Sequence, residues 1–223
     1  MSSLAPDQLA RSVLLAVELI DPVTMAPVCR DVRLDAVGMA AGPLLSWSGR
    51  FVWLADGARW PSAFVFDPGS TPYASETYAA PPAPPDPAQL DANERLVRLM
   101  LRPTAAYPFG DGLSALRGVL REGPDATSAP VAGALVWIQW TDTGPSGKQD
   151  APVAARTSAS GDFATCLRLP RGARPERNGD RLKVRLIVAR GAELRELALD
   201  LPDGRFLDSS AALDWSALSP SPI

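Results

Sequence analysis

The stretch Ala134-Leu-Val-Trp-Ile-Gln-Trp-Thr141 decides the fold class. Val136, Ile138 and Trp140 fall on one side of an extended chain and Trp137, Gln139 and Thr141 on the other, the period-two pattern of a strand with one face in a core and the other partly covered. Leu182-Lys-Val-Arg-Leu-Ile-Val188 alternates the same way, with Lys183 and Arg185 outward. Leu96–Arg102, Phe163–Leu169 and Leu182–Arg190 complete the strand signals of the second half, and Val13–Ile20, Val32–Val37, Phe51–Leu54 and Ala63–Phe66 play the same parts in the first. With 23 prolines and 17 glycines in 223 residues, the chain is punctuated too often for long helices. Near the C-terminus, Asp208-Ser-Ser-Ala-Ala-Leu-Asp-Trp215 reads as the cap and start of one short helix. The expectation is an all-β protein.

The chain is longer than one typical domain, and its composition suggests where to divide it. From Ala79 to Pro87, five prolines in nine residues remove backbone donors and hold the chain extended. Residues 79–92 therefore read as a semi-rigid linker between a first β-sandwich, residues 1–78, and a second, residues 93–205, with a tail over 206–223. Residues 1–92 carry a net charge of −5 and residues 93–223 a net charge of +2. An internal repeat supports the division. Ser46-Trp-Ser-Gly-Arg-Phe51 matches Ser158-Ala-Ser-Gly-Asp-Phe163, and Val17 to Val28 matches Val119 to Val131 with a turn one residue longer. The inserted residues between the matched segments gather near Asp142–Asp150, which has the Gly, Pro and polar composition of a hairpin tip.

The second half resembles the carboxypeptidase regulatory-like domain, a small transthyretin-like β-sandwich. The resemblance rests on Leu116-Arg-Gly-Val-Leu120, Pro130-Val-Ala-Gly-Ala-Leu-Val136 and Thr157-Ser-Ala-Ser-Gly-Asp-Phe163, and spans residues 113–201. The repeat in residues 10–78 fits more weakly, because Cys29-Arg30 follows Pro27-Val28 where the pattern has a small residue and Gly. The resemblance implies two tandem Ig-like or transthyretin-like sandwiches. It implies an accessory or interaction module of the kind used on receptors, secreted enzymes, adhesins and injection particles, and it implies no chemistry.

The absence of histidine removes serine–histidine triads, histidine-assisted cysteine nucleophiles, HExxH zinc sites and histidine-held iron. Cys29 and Cys166 stand more than a hundred residues apart, so they form no CxxC and no zinc cluster, and they read as free thiols. Hydroxyisourate hydrolases and intradiol dioxygenases, enzymes on related sandwiches, both depend on histidines. No carboxylate pair is placed for acid–base work, and the expectation is a protein without catalytic residues, metal or cofactor. Val13–Ile20 is short, contains Glu18 and follows a single Arg, so no export signal is read, no window is long enough to span a membrane, and the cytoplasm is the expected compartment.

Two groups of residues remain as candidate contacts. The hairpin with Asp142, Gly144 and Lys148 and the basic stretch with Arg171, Arg174 and Arg177 offer loops on a rigid scaffold, where binding usually resides. Residues 168–185 carry seven bases and two acids; the acidic balance of the whole chain argues for an acidic partner protein rather than nucleic acid. In the first half Trp47, Trp60, Tyr73 and Tyr78 sit among turn-forming residues. The leading expectation is a structural or adaptor subunit of a larger assembly, of the kind found in phage-tail-like contractile injection particles that form in the cytoplasm and are later released. A carbohydrate-binding or adhesion module using the aromatics of the first domain, testable through Trp47 and Trp60, is the alternative.

Overall fold

Val13–Ile20 (β1) forms a strand because its apolar residues alternate and are β-branched or long, and Leu15, Val17 and Leu19 are fully buried. The computed structural model describes residues 12–55, 59–86, 90–144 and 147–221. These residues fold into strands and one 3₁₀ turn, and none of their helical turns is long and apolar enough to cross a membrane. The chain divides into two compact units. One holds β1, Ala26–Thr71 and Ser75–Met100; the other holds Asp21–Met25, Pro72–Ala74 and the chain from Leu101 onward.

The first unit adds Arg33–Val37 (β2), Leu44–Leu45 (β3), Phe51–Leu54 (β4), Ala63–Asp67 (β5), Glu76–Ala79 (β6) and Leu96–Met100 (β7). One sheet has the order β3-β4-β1-β7 and the other β2-β5-β6. The two sheets meet through their apolar faces: Trp53 of β4 and Phe64 of β5 are buried with ring centroids 5.9 Å apart. Parallel pairing sets β7 beside β1, residue for residue from Ala16 with Leu96 to Ile20 with Met100. Across that pair Glu18 takes Arg98 at 3.1 Å and, from the end of β4, Arg50 at 3.2 Å. Burial pushes the Glu18 carboxyl up, but the Arg98 and Arg50 hydrogen bonds and charges outweigh it and hold the group below the usual carboxylate range.

This pairing corrects the reading of residues 79–92 as a joint between domains. The proline-rich run connects β6 to β7 within the first unit, and the boundary falls at Met100. The run is tied down there: Ala80 N–H donates to Ser62 O and the Trp60 indole donates to Pro81 O. The Asp91 carboxylate accepts from the backbone N–H groups of Asn93 and Glu94, and Asp91 N–H donates to the Glu94 carboxylate, a capping box that turns the chain into β7. Pro87 lies outside the described residues. Proline composition reports a chain without ladder partners, which suits a passage from one sheet of a unit to the other, here from β6 to β7, as well as a linker.

The second unit contains Ser114–Arg121 (β8), Leu135–Asp142 (β9), Gly147–Arg156 (β10), Asp162–Leu167 (β11), Arg177–Asn178 (β12), Arg181–Arg190 (β13), Glu193–Pro202 (β14), Phe206–Asp214 (β15) and Ser219–Pro220 (β16). A six-stranded sheet runs β10-β9-β13-β14-β16, with β12 also on β13, and a three-stranded sheet runs β11-β8-β15. One hydrophobic cluster joins both sheets, with Leu120 and Phe163 from the smaller and Val136, Ile138, Trp140, Leu186 and Val188 from the larger. Residues 208–215 do not start a helix: Phe206–Asp214 is a strand parallel to β8, and Asp214 caps only the three-residue 3₁₀ turn at Trp215. The pairing partner lies about ninety residues upstream, so local composition could not reveal it.

The repeat holds at the level of hydrogen bonds. In the first unit Val28 N–H donates to Leu19 O at 2.9 Å, and in the second Val131 N–H donates to Leu120 O at 3.0 Å. The Ser-x-Ser-Gly turns share their Ser46–Gly49 and Ser158–Gly161 backbone bonds, both 3.0 Å, and a positive φ of 76° at Gly49 and 84° at Gly161. In each unit a strand after the last antiparallel hairpin returns to lie parallel to the first. The register differs by one residue from the sequence match: Phe51 faces Val17, whereas Phe163 faces Gly118. The intervening turn is therefore two residues longer in the second unit rather than one. A glycine suits position 118 because a Cβ there would crowd the buried Phe163 ring at 3.0 Å and push it aside.

Candidate interaction surface

β3 is the outermost strand of its sheet, paired on one side through Leu44 with Val52 and Leu45 with Phe51. The turn that follows is closed by Ser46, whose N–H donates to Arg50 O and whose hydroxyl accepts Arg50 N–H at 3.0 Å. That turn carries Trp47 at its tip, fully solvent-exposed, while Leu44 and Leu45 are 56% and 55% exposed. Single exposed apolar side chains are ordinary, but three within four positions on a sheet edge are not. Charged side chains commonly guard such edges. Here the chain carries no charge over residues 36–49. The local chemistry is that of an anchor: a rigid indole beside two leucines and an open strand edge.

Of the other first-half aromatics, none shares this exposure. Trp60 is half-buried with its indole bonded to Pro81 O. Tyr78 donates to Met100 O at 3.0 Å, and Tyr73 is buried. Each is held by a group distant in sequence, and flanking composition carries no trace of that. Trp47 and Trp60 thus fall in different environments, and only Trp47 offers a face.

In the second unit the hairpin and the basic stretch come together at one end. Thr143 N–H and its hydroxyl both donate to Arg174 O, at 2.8 and 3.0 Å, and Glu176 N–H donates to Thr141 O at 3.1 Å. The Asp142 carboxylate accepts Gly144 N–H at 3.0 Å and Arg174 N–H at 3.3 Å, so it fastens the two loops and is not a free contact group. Arg177 is paired with Asp203 at 2.7 Å. Lys148, Arg171 and Arg174 are exposed, and no described carboxylate lies within ion-pair distance of them. The hairpin tip is shorter than its composition suggested: Gly147 and Lys148 already pair with Asp142 and Thr141. Pro145 and Ser146 lie outside the described residues. The long polar run was thus partly strand, because edge strands tolerate polar residues.

A buried polar cluster also belongs to this unit. Asp21 accepts from Val23 N–H at 2.8 Å, the Thr24 hydroxyl at 2.8 Å and the Tyr107 hydroxyl at 2.7 Å. Burial, and then the Asp21 charge, raise Tyr73 well above the usual phenol range; burial and the Asp21 hydrogen bond do the same for Tyr107. Burial and then the Asp21 charge push the Cys166 thiol up to about 12, against a smaller opposing effect of Arg168. A thiol that reacts only as thiolate is inert under such conditions. Iodoacetamide at neutral pH is expected to leave Cys166 unmodified in the folded protein and to label it after denaturation, as read by peptide mass spectrometry; rapid native labelling would contradict the burial. Among the described residues no group of three metal-ligating side chains comes together. No family model, no curated protein and no solved structure matches the chain.

Proposed function

We propose that this chain is a structural or adaptor protein without catalysis of its own, built of two transthyretin-like β-sandwiches and acting as one subunit of a larger protein assembly. The observation that carries this reading is the exposed Leu44, Leu45 and Trp47 on the open edge of β3. A Trp buried against a partner is among the side chains that carry most interface energy, the two Leu add apolar area around it, and an open strand edge adds backbone hydrogen bonds and register. The repeated scaffold supports the resemblance to carboxypeptidase regulatory-like modules, and contractile injection particles assembled in the cytoplasm are the kind of assembly such modules serve.

A protein partner is favoured over a sugar because Trp47 stands beside the exposed Leu44 and Leu45, in a stretch, residues 36–49, that contains no charged residue. In extract of its native source, the chain should sediment far above its 23.6 kDa monomer. The double variant Leu45→Ser/Trp47→Ser should return it to monomer size with its melting unchanged. Wild type sedimenting as a monomer would refute the subunit role, and glycan-array binding lost on Trp47→Ala would establish the carbohydrate reading instead.

A further inference from the structure

Midway along β10 the pairing with β9 slips, between Asp150 and Ala154. The bulged segment, with Asp150 and Pro152, lines an open cleft of about 350 Å³ in the second unit, beside the chain that leaves β11. Its walls are largely apolar: Met25, Trp140, Pro152, Leu169 and Pro170. Arg168 completes the wall, held in place by its Nη1 bond to Val23 O at 3.2 Å. No described carboxylate lies within ion-pair distance of Arg168. Lys148 and Arg171, equally without such partners, flank the lining segments in sequence. The one acid in the wall, Asp150, already accepts the Trp137 indole and the Gln139 amide on its Oδ1, both at 3.0 Å.

We propose that this cleft is a docking site for an extended acidic peptide segment of a partner protein, which inserts one bulky apolar side chain beside Trp140 and Met25 and sets a neighbouring carboxylate on Arg168. The volume suits one Leu, Met or Phe side chain and lies at the small end of ligand pockets, about 300–1,000 Å³. The fixed guanidinium supplies a planar, charge-assisted donor set for a carboxylate, and Lys148 and Arg171 favour further acids on either side. Nucleic acid would satisfy the charges but leave the apolar walls empty. This inference does not depend on the β3 surface, which lies in the other unit.

The test is a selection of random twelve-residue peptides displayed on phage against the full-length chain, followed by affinity measurement of the enriched peptides as synthetic, labelled probes. Enriched sequences should combine Asp or Glu with an adjacent Leu, Met or Phe, and should bind more weakly as salt rises. Arg168→Gln should weaken them roughly tenfold or more. Because Arg168 also holds Val23, a second variant guards against a folding artefact. Met25 is 49% exposed at a φ of 61°, a conformation Asp tolerates, so Met25→Asp should keep the melting temperature while adding a repelling charge and weakening binding to a similar degree. No enrichment, enrichment without an acidic–apolar motif, or unchanged affinity in the Met25→Asp variant would overturn the proposal.

Discussion

Gly161→Val is expected to abolish folding of the second unit while the first unit stays folded. Two costs act at that position. The φ of 84° is one that a β-branched residue resists, and a Cβ there would stand 2.3 Å from Leu120 O. That carbonyl cannot move freely, because it accepts Val131 N–H at 3.0 Å while Leu120 N–H donates to Gly161 O at 2.9 Å. Relieving the clash therefore breaks the link between β8, β11 and the chain entering β9. Backbone strain alone is worth about 1–3 kcal/mol, and with the lost bonds and displaced core the total becomes a large share of a domain's 5–15 kcal/mol. Gly133→Ala separates the two costs: its φ is 73° but nothing lies within 4 Å of the added Cβ, so only modest destabilisation should follow. Hydrogen exchange followed by mass spectrometry reads both. Loss of protection across β8, β9 and β13 in Gly161→Val, with β1 and β4 protected as in wild type, is expected; protection retained in β8 and β11 would remove the turn from the account.

Leu99→Asp should have the opposite distribution, unfolding the first unit and sparing the second. Leu99 is 7% exposed in β7, whose partner β1 supplies Leu15, Val17 and Leu19 to the core. A buried, unpaired carboxylate costs several kcal/mol, roughly 3–5 by comparison with broken buried ion pairs. Exchange should accelerate in β1, β4 and β5 and remain slow in β13. Acceleration confined to β8–β15 would mean that the strand after the proline-rich run belongs to the second unit, as its sequence position alone suggests.

Those two residues also mark how far the sequence could be read. Gly161 was legible because Ser158-Ala-Ser-Gly-Asp-Phe163 states its turn locally: the glycine supplies the positive φ and Phe163 plugs the core two residues on. Val13–Ile20 was legible in full because its alternation is a property of the strand itself. The place of Leu96–Met100 was not, although its strand character was, because a parallel partner eighty residues away leaves no local signature. The same reason hid β15 behind a serine- and alanine-rich stretch that looks helical. In the hairpin, strand and tip were both polar, so composition overstated the loop.

The candidate contacts were legible in kind but not in rank. Asp142 and the basic stretch were read as separate loops, and the structure fastens one to the other through Asp142 and Arg174. Trp47 and Trp60 have similar neighbours in sequence, yet one projects freely and the other bonds Pro81 O. Exposure of an aromatic depends on which distant carbonyl reaches it, and that is a tertiary fact. Arg168 drew notice only as one of many bases; the apolar cleft around it is made by segments far apart in the chain.

The internal repeat supplies the control for the most direct test of the assembly role. Trp47 and Ala159 occupy the same place in equivalent turns, but only the first lies beside an exposed leucine pair on an open edge. A photoreactive benzoylphenylalanine placed at either position in the full-length chain, irradiated in the native source and analysed by mass spectrometry, compares the two surfaces under one geometry. An assembly subunit should give a discrete protein adduct from position 47, lost when Leu44 and Leu45 are changed to Ser, and little or none from position 159. Equal adducts from both positions, or no protein adduct from position 47, would contradict it.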